Sequence, residues 1–380
     1  MAWIALFSLG IAFVVYILFG YPALLYILAK RRGRPVRQEP SIRSVSMLIA
    51  VHNGEPFVES KLRSIFELHY PADEIEIIVA CDGCTDATAE MARQVGGDRV
   101  QVLQLPRAGK AVALNEAMKA ARGEIFVFTD IRQRLDPDCL RYLMESFADP
   151  QVGAVSARLV ILKGSSQGEE NVGLYWRYEF WVRSQLSRLD SIFGATGACY
   201  AMRRELTVPI PPGTLLDDMY EPLGAFFRGY RLIADERALI FDYPTNPSVE
   251  FDRKVRTLAG NYQILAAYPR LLGPGNRLWF HYVSYKFGRL LLPIALMLIL
   301  AASFGLPAPW WMAAMGGQVL LYFLALVDPV TPASLPFKRI TSILHTFAVL
   351  MVATIYASRI LFRRSSADLW KQRRVSQPKG

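Results

Sequence analysis

Residues 75–95 read IEIIVACDGCTDATAEMARQV, an apolar run followed by a polar turn and a helix-like segment. The run Ile75–Ala80 is rich in β-branched residues, which favour strands, and Ala87–Val95 has a helical composition. The same alternation continues on both sides, with strand-type runs at Val45–Val51, Val100–Leu105, Ile125–Thr129 and Val152–Leu162 and helical stretches at Phe57–Leu68, Ala111–Ala121 and Cys139–Phe147. This pattern predicts an α/β domain over about residues 44–250, with a mostly parallel sheet covered by helices.

Long apolar runs flank the predicted α/β domain. The first, from Trp3 to about Ala29, carries no charge and can cross a hydrocarbon core of roughly 30 Å, so residues 1–30 are predicted to form a transmembrane helix. A cleaved signal peptide fits less well, because no basic residue precedes the run and the run is too long. Three further runs, about Phe287–Phe304, Trp310–Val327 and Ile340–Phe362, predict three C-terminal transmembrane helices within residues 287–362.

The segments next to these runs are basic or aromatic. Residues 251–286 mix cations with aromatic side chains, which predicts amphipathic helices at the membrane interface. A basic cluster follows the first run, so the positive-inside rule places the α/β domain on the cytoplasmic side of an inner membrane of bacterial type. Four spans would then put the basic tail, residues 363–380, on the outer side, which the rule disfavours. The sequence leaves the side of the C-terminus open.

The composition excludes several classes of protein. Hydrophobic residues make up 52% of the 380 residues and charged residues 20%, unlike a disordered or collagen-like chain. Four cysteines are too few for a disulfide scaffold. The 43 Lys and Arg against 33 Asp and Glu give a net charge of +10. Because basic clusters lie next to the apolar runs, they indicate membrane lipids as partners and no nucleic acid.

Charged residues follow two of the predicted strands, at the edge where ligands of parallel sheets collect. Asp82 can accept hydrogen bonds from a ribose or a base, although the same turn also suits a helix N-cap at Thr85 or Asp86. Asp130 follows a fully apolar strand, where a carboxylate suits a hard divalent cation on phosphate oxygens. A solvated turn residue is the alternative there.

Two further candidates lie at predicted helix starts. Lys110 follows a glycine directly before a helix, an arrangement that suits a phosphate. Asp217 and Asp218 are adjacent carboxylates that can form a general base and its electrostatic neighbour. Acidic residues are also favoured in the first turn of any helix, so a purely local role stays open.

Taken in order, these stretches resemble the membrane-bound family 2 glycosyltransferases, whose catalytic domain has the Rossmann-like GT-A fold. The resemblance covers about residues 44–265, and the ordered set of motifs is specific. The matching stretches are Ile49–Glu55, Asp82–Asp86, Gly109–Asn115, Phe128–Asp130, Gly194–Ala198, Leu216–Asp218 and Arg253–Gln263.

The resemblance implies a role for each matching position. Glu55 and Asp82 would hold the nucleotide, and Lys110 would face its phosphates. Asp130, the first carboxylate of a DxD motif, would bind Mg²⁺ or Mn²⁺ on the diphosphate. Asp218 would be the catalytic base, with Asp217 beside it. Arg256 would contact the nucleotide sugar, and the residues implied in acceptor binding or gating are Arg253, Asn261, Gln263, Trp176 and Trp181.

Two positions depart from the family pattern. Arg132 stands where the DxD motif has its second carboxylate, so the metal would rely on Asp130, phosphate oxygens and water, with Arg132 taking up part of the charge. The processive synthases carry a QxxRW motif, whereas residues 253–257 read RKVRT and lack the Trp. This weakens the case for a long polymer, although Trp176 and Trp181 offer another stacking platform.

The resemblance therefore implies an inverting transfer of a hexosyl or N-acetylhexosaminyl group. The donor would be a nucleotide sugar, with UDP as the expected nucleotide, and the acceptor a lipid-linked or growing glycan in polysaccharide or exopolysaccharide synthesis. Transfer of one sugar to a polyprenyl or lipid acceptor is the alternative. A third and less favoured alternative is a catalytically inactive membrane scaffold or transport subunit. Four transmembrane helices would enclose only a narrow channel, so the possibility that the protein forms a homo-oligomer also stays open.

Overall fold

A computed structural model describes residues 1–162, 167–243, 247–332 and 335–362 of the protein. The chain divides into two compact units. One consists mainly of Leu28–Lys163 and Trp176–Pro244 and contains the sheet. The other consists mainly of Met1–Ile27 and Thr245–Arg364 and is helical. The basic tail at 363–380 lies outside the described residues.

The sheet unit is built on eight strands within the described residues. They are β1 Val45–Val51, β2 Ile75–Asp82, β3 Val100–Leu105, β4 Ile125–Thr129, β5 Arg134–Leu135, β6 Val152–Ile161, β7 Cys199–Arg203 and β8 Arg231–Asp242. Their order in the sheet is β3-β2-β1-β4-β7-β6-β8-β5. The pairs β1–β2, β1–β4, β2–β3 and β6–β8 are parallel, whereas β7 runs antiparallel to β4 and β6 and β5 antiparallel to β8. The predicted α/β fold with a mostly parallel sheet is confirmed.

The helices alternate with these strands and continue into the second unit. They are α1 Ala2–Val15, α2 Tyr21–Arg32, α3 Glu55–Phe66, α4 Thr88–Gly96, α5 Lys110–Ala120, α6 Cys139–Glu145, α7 Gln167–Leu189, α8 Asp217–Phe227, α9 Pro247–Ala267, α10 Trp279–Tyr282, α11 Gly288–Ser303, α12 Trp310–Val327 and α13 Lys338–Ala357. α3 begins at Glu55, two residues before the predicted start, because Pro56 suits the first turn of a helix.

The central strand β1 is buried on both faces, as strands of a parallel sheet covered by helices are. Met47 and Ile49 belong to a core cluster with Val58 and Leu62 of α3. Leu48 points to the opposite face, where α5 packs against β1, and it is fully buried. One apolar strand therefore anchors two layers of helices.

Three strands, β5, β7 and β8, are absent from the predicted elements, and β5 is only two residues long. β7 is five residues long and begins directly after a turn, so it is too short for a clear pattern. β8 contains the charged run Asp235–Arg237, which interrupts its apolar alternation. In the structure Arg237 pairs with Asp235 and with Glu145 of α6, so the charges are satisfied inside the sheet unit.

The helical unit contains four helices long and apolar enough to span a membrane among the described residues. These are Ala2–Arg32, Trp279–Ser303, Trp310–Val330 and Lys338–Ile360. The second begins at Trp279, not at Phe287 as predicted, because α10 and a π-helical turn at Val283–Phe287 continue directly into α11. The aromatic end of the predicted interface stretch 251–286 is thus the start of an apolar helix.

The first apolar helix packs closely against the second. A Cβ at Gly10 would lie 2.6 Å from Ile299 Cγ1, so only glycine permits this approach. Tyr16 Oη lies 2.7 Å from Ser284 Oγ, and both helices contain a π-helical turn at this level. Small residues and interhelical hydrogen bonds are the means by which helices associate in lipid.

We expect Leu48→Ala to lower the free energy of unfolding of the sheet unit by about 2–5 kcal/mol, because it leaves a cavity beneath α5. Thermal unfolding of the detergent-solubilised protein measures the loss. The matched control is Ile42→Ala, whose side chain is 66% exposed, and which should change stability by less than about 0.5 kcal/mol. Equal effects of the two substitutions would contradict the described core.

Candidate active site

The candidate site lies at the carboxyl edge of the parallel strands. Asp82 is the last residue of β2, and Asp130 directly follows β4. Lys110 is the first residue of α5, which follows β3, and Asp217 is the first residue of α8. Ligands of open α/β sheets bind beyond this edge, so the fold brings the predicted polar residues to the expected place.

Lys110 links Asp130 to the start of α8. Its ammonium nitrogen lies 3.0 Å from Asp130 Oδ1 and 3.0 Å from Asp217 Oδ2. Burial alone would lower the pKa of Lys110, but the charges of Asp130, Asp217 and Asp218 outweigh it and hold the pKa well above its ordinary value. Lys110 is therefore a permanent cation among three carboxylates.

Asp218 is the carboxyl group in this cluster that is best suited to take a proton. Burial, together with the negative charge of Asp217, raises its pKa to about 6, although Lys110 and Arg183 oppose the shift. Asp218 is thus largely ionised at neutral pH but more basic than an ordinary aspartate. A pKa close to the working pH is what general-base catalysis requires.

The position of Asp218 is fixed through the backbone of α8. Pro222 lies inside this helix, and proline has no N–H to donate to the carbonyl four residues earlier, which is that of Asp218. That carbonyl instead accepts a hydrogen bond from the Ala195 N–H, with an N–O distance of 2.7 Å. A helix defect therefore attaches Asp218 to the loop at residues 194–198.

Gly197 of this loop keeps the space beside the carboxylates open. A Cβ at this position would lie 3.2 Å from Asp218 Oδ2 and 3.8 Å from Asp130 Oδ2. A Cβ would therefore crowd Asp218 and be in ordinary van der Waals contact with Asp130. The glycine thus leaves room for a reacting molecule next to Asp130 and Asp218.

Arg183 of α7 holds the same loop from the other side. Its guanidinium donates to the Gly194 carbonyl at 2.7 Å and to Ser156 Oγ at 3.1 Å. Ser156 Oγ accepts in turn from the Thr196 N–H at 3.0 Å. These bonds make Arg183 a positioning residue for the loop on which Asp218 rests, and its charge favours the ionised form of Asp218.

The two carboxylates predicted to bind the nucleotide contact backbone groups of the protein itself. Asp82 is 2% exposed and accepts from the Ala108 N–H at 2.6 Å and the Gly109 N–H at 3.0 Å, and it pairs with Arg107. Glu55 accepts from the Ala87 N–H at 3.0 Å, next to the start of α4. Asp82 therefore shapes the turn that presents Lys110. Direct contact of Asp82 and Glu55 with a nucleotide stays a prediction.

An ion pair occupies the position of the missing DxD carboxylate. Arg132 pairs with Asp242 at the end of β8, and Gln133 Nε2 donates to the same carboxylate at 2.9 Å. Asp242 is 1% exposed, so it compensates the guanidinium charge inside the protein. The expectation that Arg132 takes up part of a donor's charge stays a prediction, and the structure adds that Arg132 already has a buried partner.

Lys61 supports the Asp130 loop from below, and the sequence patterns did not single it out. It is fully buried, and its ammonium donates to Thr129 Oγ1 at 2.6 Å and to the Gln133 carbonyl at 2.9 Å. Burial lowers its pKa to about 8. The helical spacing of Lys61 could have indicated that it is buried, because it lies on the same face of α3 as the core residues Val58 and Leu62.

The residues implied in acceptor binding or gating are not among the contacts described above, and neither is Arg256, which is implied in nucleotide-sugar binding. Arg253, Arg256, Asn261 and Gln263 belong to α9 in the helical unit. Trp181 of α7 stacks on Tyr178 with ring centroids 6.4 Å apart. The side chain of Trp176 lies outside the described residues. The roles of these five residues and of Trp176 stay predictions.

Residues 46–208 match the family profile described as Glycosyl transferase family 2. Over this stretch, which runs from β1 to just after β7, the chain is similar to the family 2 glycosyltransferases. Among solved structures, a mannosyltransferase from Pyrobaculum calidifontis, determined with GDP-Man and Mn²⁺, is 24% identical to this chain. The similarity covers 95% of this chain and 100% of that one with a TM-score of 0.72. The GT-A fold implied by the sequence motifs is confirmed.

Two curated relatives match parts of this chain. The β-monoglucosyldiacylglycerol synthase of Trichormus variabilis is 28% identical over 196 residues, which is 50% of this chain and 38% of the relative. The poly-β-1,6-N-acetyl-D-glucosamine synthase of Staphylococcus epidermidis is 34% identical over 133 residues, 34% of this chain and 32% of the relative. The matches thus span less than two fifths of these relatives. The four apolar helices indicate that the protein is associated with a membrane.

We expect Asp218→Asn to stabilise the folded protein at pH 8. The pKa of Asp218 is about 6 when folded and close to 3.8 in an unfolded chain. Ionisation therefore costs the folded state stability as the pH rises from about 4 to about 6, and the full cost, on the order of 1–3 kcal/mol, is present above that range. An amide removes this cost.

Melting temperatures of both proteins at pH 8 and pH 5 measure the effect, which should be larger at pH 8. Asp98→Asn is the matched control, because Asp98 is exposed between α4 and β3 and its replacement should leave the melting temperature unchanged. A lower melting temperature for Asp218→Asn at pH 8 would contradict the assigned electrostatics.

Proposed function

We propose that the protein is an inverting glycosyltransferase that transfers a sugar from a nucleotide-sugar donor to an acceptor hydroxyl. The observation that carries the proposal is the convergence of Lys110, Asp130 and Asp218 around the space that Gly197 keeps open. A cation for the diphosphate and a base for the acceptor are the two functions that such a transfer requires. The first candidate for the donor is a UDP-sugar.

In this mechanism Asp218 takes the proton from the acceptor hydroxyl as its oxygen attacks the anomeric carbon. The bond from that carbon to the diphosphate breaks, and the diphosphate leaves with the bonding electrons. Lys110 stabilises the growing negative charge on the leaving group, with Arg256 of α9 as a second proposed cation. Asp217 holds Lys110 in place by the 3.0 Å contact described above.

A divalent metal, Mg²⁺ or Mn²⁺, fits this site through Asp130. This residue is the most exposed member of the cluster, with 39% of its side chain accessible, and its Oδ2 lies towards Gly197. Mg²⁺ in phosphate sites is usually held by one or two carboxylates together with substrate phosphates, so one carboxylate suffices. When bound, the metal supplies further charge stabilisation to the departing diphosphate.

The proposed acceptor is a lipid-linked or growing glycan at the cytoplasmic face of the inner membrane, and the proposed pathway is polysaccharide synthesis. The four apolar helices and the similarity to a poly-N-acetylglucosamine synthase support it. The similarity to a glucosyldiacylglycerol synthase favours a second candidate, transfer of a single sugar to a lipid. Arg253, Asn261, Gln263, Trp176 and Trp181 are the proposed acceptor or gating residues in both cases.

The test is release of nucleoside diphosphate by the detergent-purified protein. Sugar nucleotides of UDP and GDP carrying hexoses or N-acetylhexosamines are supplied with Mg²⁺ or Mn²⁺ and a crude lipid fraction. We expect release with one donor class, a loss of at least about 100-fold in Asp218→Asn, and a loss in Asp130→Ala. Asp98→Asn serves again as the control and should retain full activity. Sizing of the product distinguishes a polymer from a single transfer.

The pH dependence gives an independent check of the base. Because Asp218 must be ionised to accept a proton and has a pKa of about 6, we expect the rate to be half-maximal near pH 6 and to fall tenfold per pH unit below it. A rate that stays constant down to pH 5 would exclude Asp218 as the base. No release with any donor would favour the inactive scaffold.

A further inference from the structure

We propose that this protein does not bind its divalent metal alone but only together with the diphosphate of the donor. The reason is that the ion pair between Arg132 and Asp242 replaces the second carboxylate of the metal motif. The inference rests on the proposed function, which supplies a diphosphate as the partner of the metal.

The single remaining carboxylate is already partly engaged. Asp130 Oδ1 lies 3.0 Å from the ammonium of Lys110, so one of its oxygens faces a cation. Across the part of the chain that the structure describes, no group of three or more His, Cys, Asp or Glu side chains is arranged to hold a metal ion. Without phosphate, a metal at Asp130 would have water for most of its ligands and a positive neighbour.

Asp218 is the proposed base, and three other carboxylates at this edge of the sheet have partners of their own. Asp217 pairs with Lys110. Asp82 accepts hydrogen bonds from the 107–109 turn. Asp242 is buried beneath Arg132 and Gln133. Recruiting any of them to a metal would break a contact that holds the site together.

Position 132 is committed to this arrangement. The Arg132 side chain is 22% exposed and its partner Asp242 only 1%, so the guanidinium covers a buried charge. The loop that carries Asp130 and Arg132 is fixed by Lys61, whose ammonium donates to Thr129 Oγ1 and to the Gln133 carbonyl. The loop therefore presents one carboxylate and one neutralised cation where a DxD motif presents two carboxylates.

A bound diphosphate changes this balance. Its oxygens add hard ligands next to Asp130, and its negative charge attracts Lys110 away from exclusive contact with the carboxylates. Metal and diphosphate should then raise each other's affinity by the same factor, since coupling between two ligands is reciprocal. We expect a factor of at least about 10, within the usual range for coupled ligands.

The experiment is equilibrium dialysis of Mn²⁺ against the full-length protein in detergent. The dialysis membrane retains the protein but lets Mn²⁺, the nucleotide and their complex pass. Retained Mn²⁺ therefore reports binding to the protein alone. Dialysis is run without nucleotide, with UDP and with GDP, and binding of radiolabelled nucleotide is measured in parallel with Mn²⁺ or with EDTA. We expect retention only with the nucleotide that binds, its loss in Asp130→Ala, and no change in Asp98→Ala.

A gain of binding tests the role of position 132 directly. Arg132→Asp combined with Asp242→Asn restores a second carboxylate and removes the buried charge that Arg132 compensates. We expect this double variant to retain Mn²⁺ without nucleotide. If it melts like the wild type and still retains none, position 132 is not the missing ligand position.

The remaining outcomes separate this inference from the proposed function. Tight retention of Mn²⁺ by the wild type without nucleotide, lost in Asp130→Ala, would overturn the inference and leave the proposed function standing. Nucleotide binding that is equally strong with Mn²⁺ and with EDTA would do the same. Failure to bind either nucleotide under any condition would overturn the proposed function and the inference with it.

Discussion

One ammonium group allows three carboxylates to share a small space at the edge of the sheet. If Lys110 were absent, the carboxylates of Asp130, Asp217 and Asp218 would repel one another. At least one of them would then take up a proton. With it, the cluster carries a defined charge and geometry before any substrate arrives. Such preorganised charge is most of what an enzyme needs to stabilise a leaving group. Asp82 accepts hydrogen bonds from the turn that precedes Lys110. A residue predicted to bind nucleotide therefore also helps to position Lys110.

Around this centre the structure relies on buried polar groups that have specific partners. Lys61 fixes the Asp130 loop, Arg183 fixes the 194–198 loop, and Asp242 compensates Arg132. Each of these groups lies on a different element of the sheet unit, and the two loops are also joined directly, because the Asp130 N–H donates to the Ala198 carbonyl at 3.3 Å and Thr129 Oγ1 donates to it at 2.8 Å. Removing one partner of such a pair leaves a buried charge uncompensated, which is costly. The loops are therefore held rigidly where the chemistry takes place.

The sequence was sufficient for β1 to β4 and for β6, because apolar runs produce local patterns, and its strand-end carboxylates pointed to residues that the fold brings together. It was insufficient for β8, whose central charges are satisfied by Glu145 of α6, far away in the sequence. The ion pair of Arg132 was not predicted for the same reason, since its partner Asp242 lies on another strand. Lys61 could have been found from its place on the buried face of α3. What escapes prediction is pairing between distant residues, which depends on the fold and not on spacing.

The hydrogen bond from Ala195 to the Asp218 carbonyl uses no side-chain atom of residue 218. Placement of this residue and its chemistry are therefore independent properties, one set by Pro222 in the backbone and the other by a carboxyl group. Over evolutionary time, a single substitution at 218 would abolish the proposed proton transfer while the loop and the helix keep their form. In this architecture a domain that has lost such catalysis could be retained for binding alone.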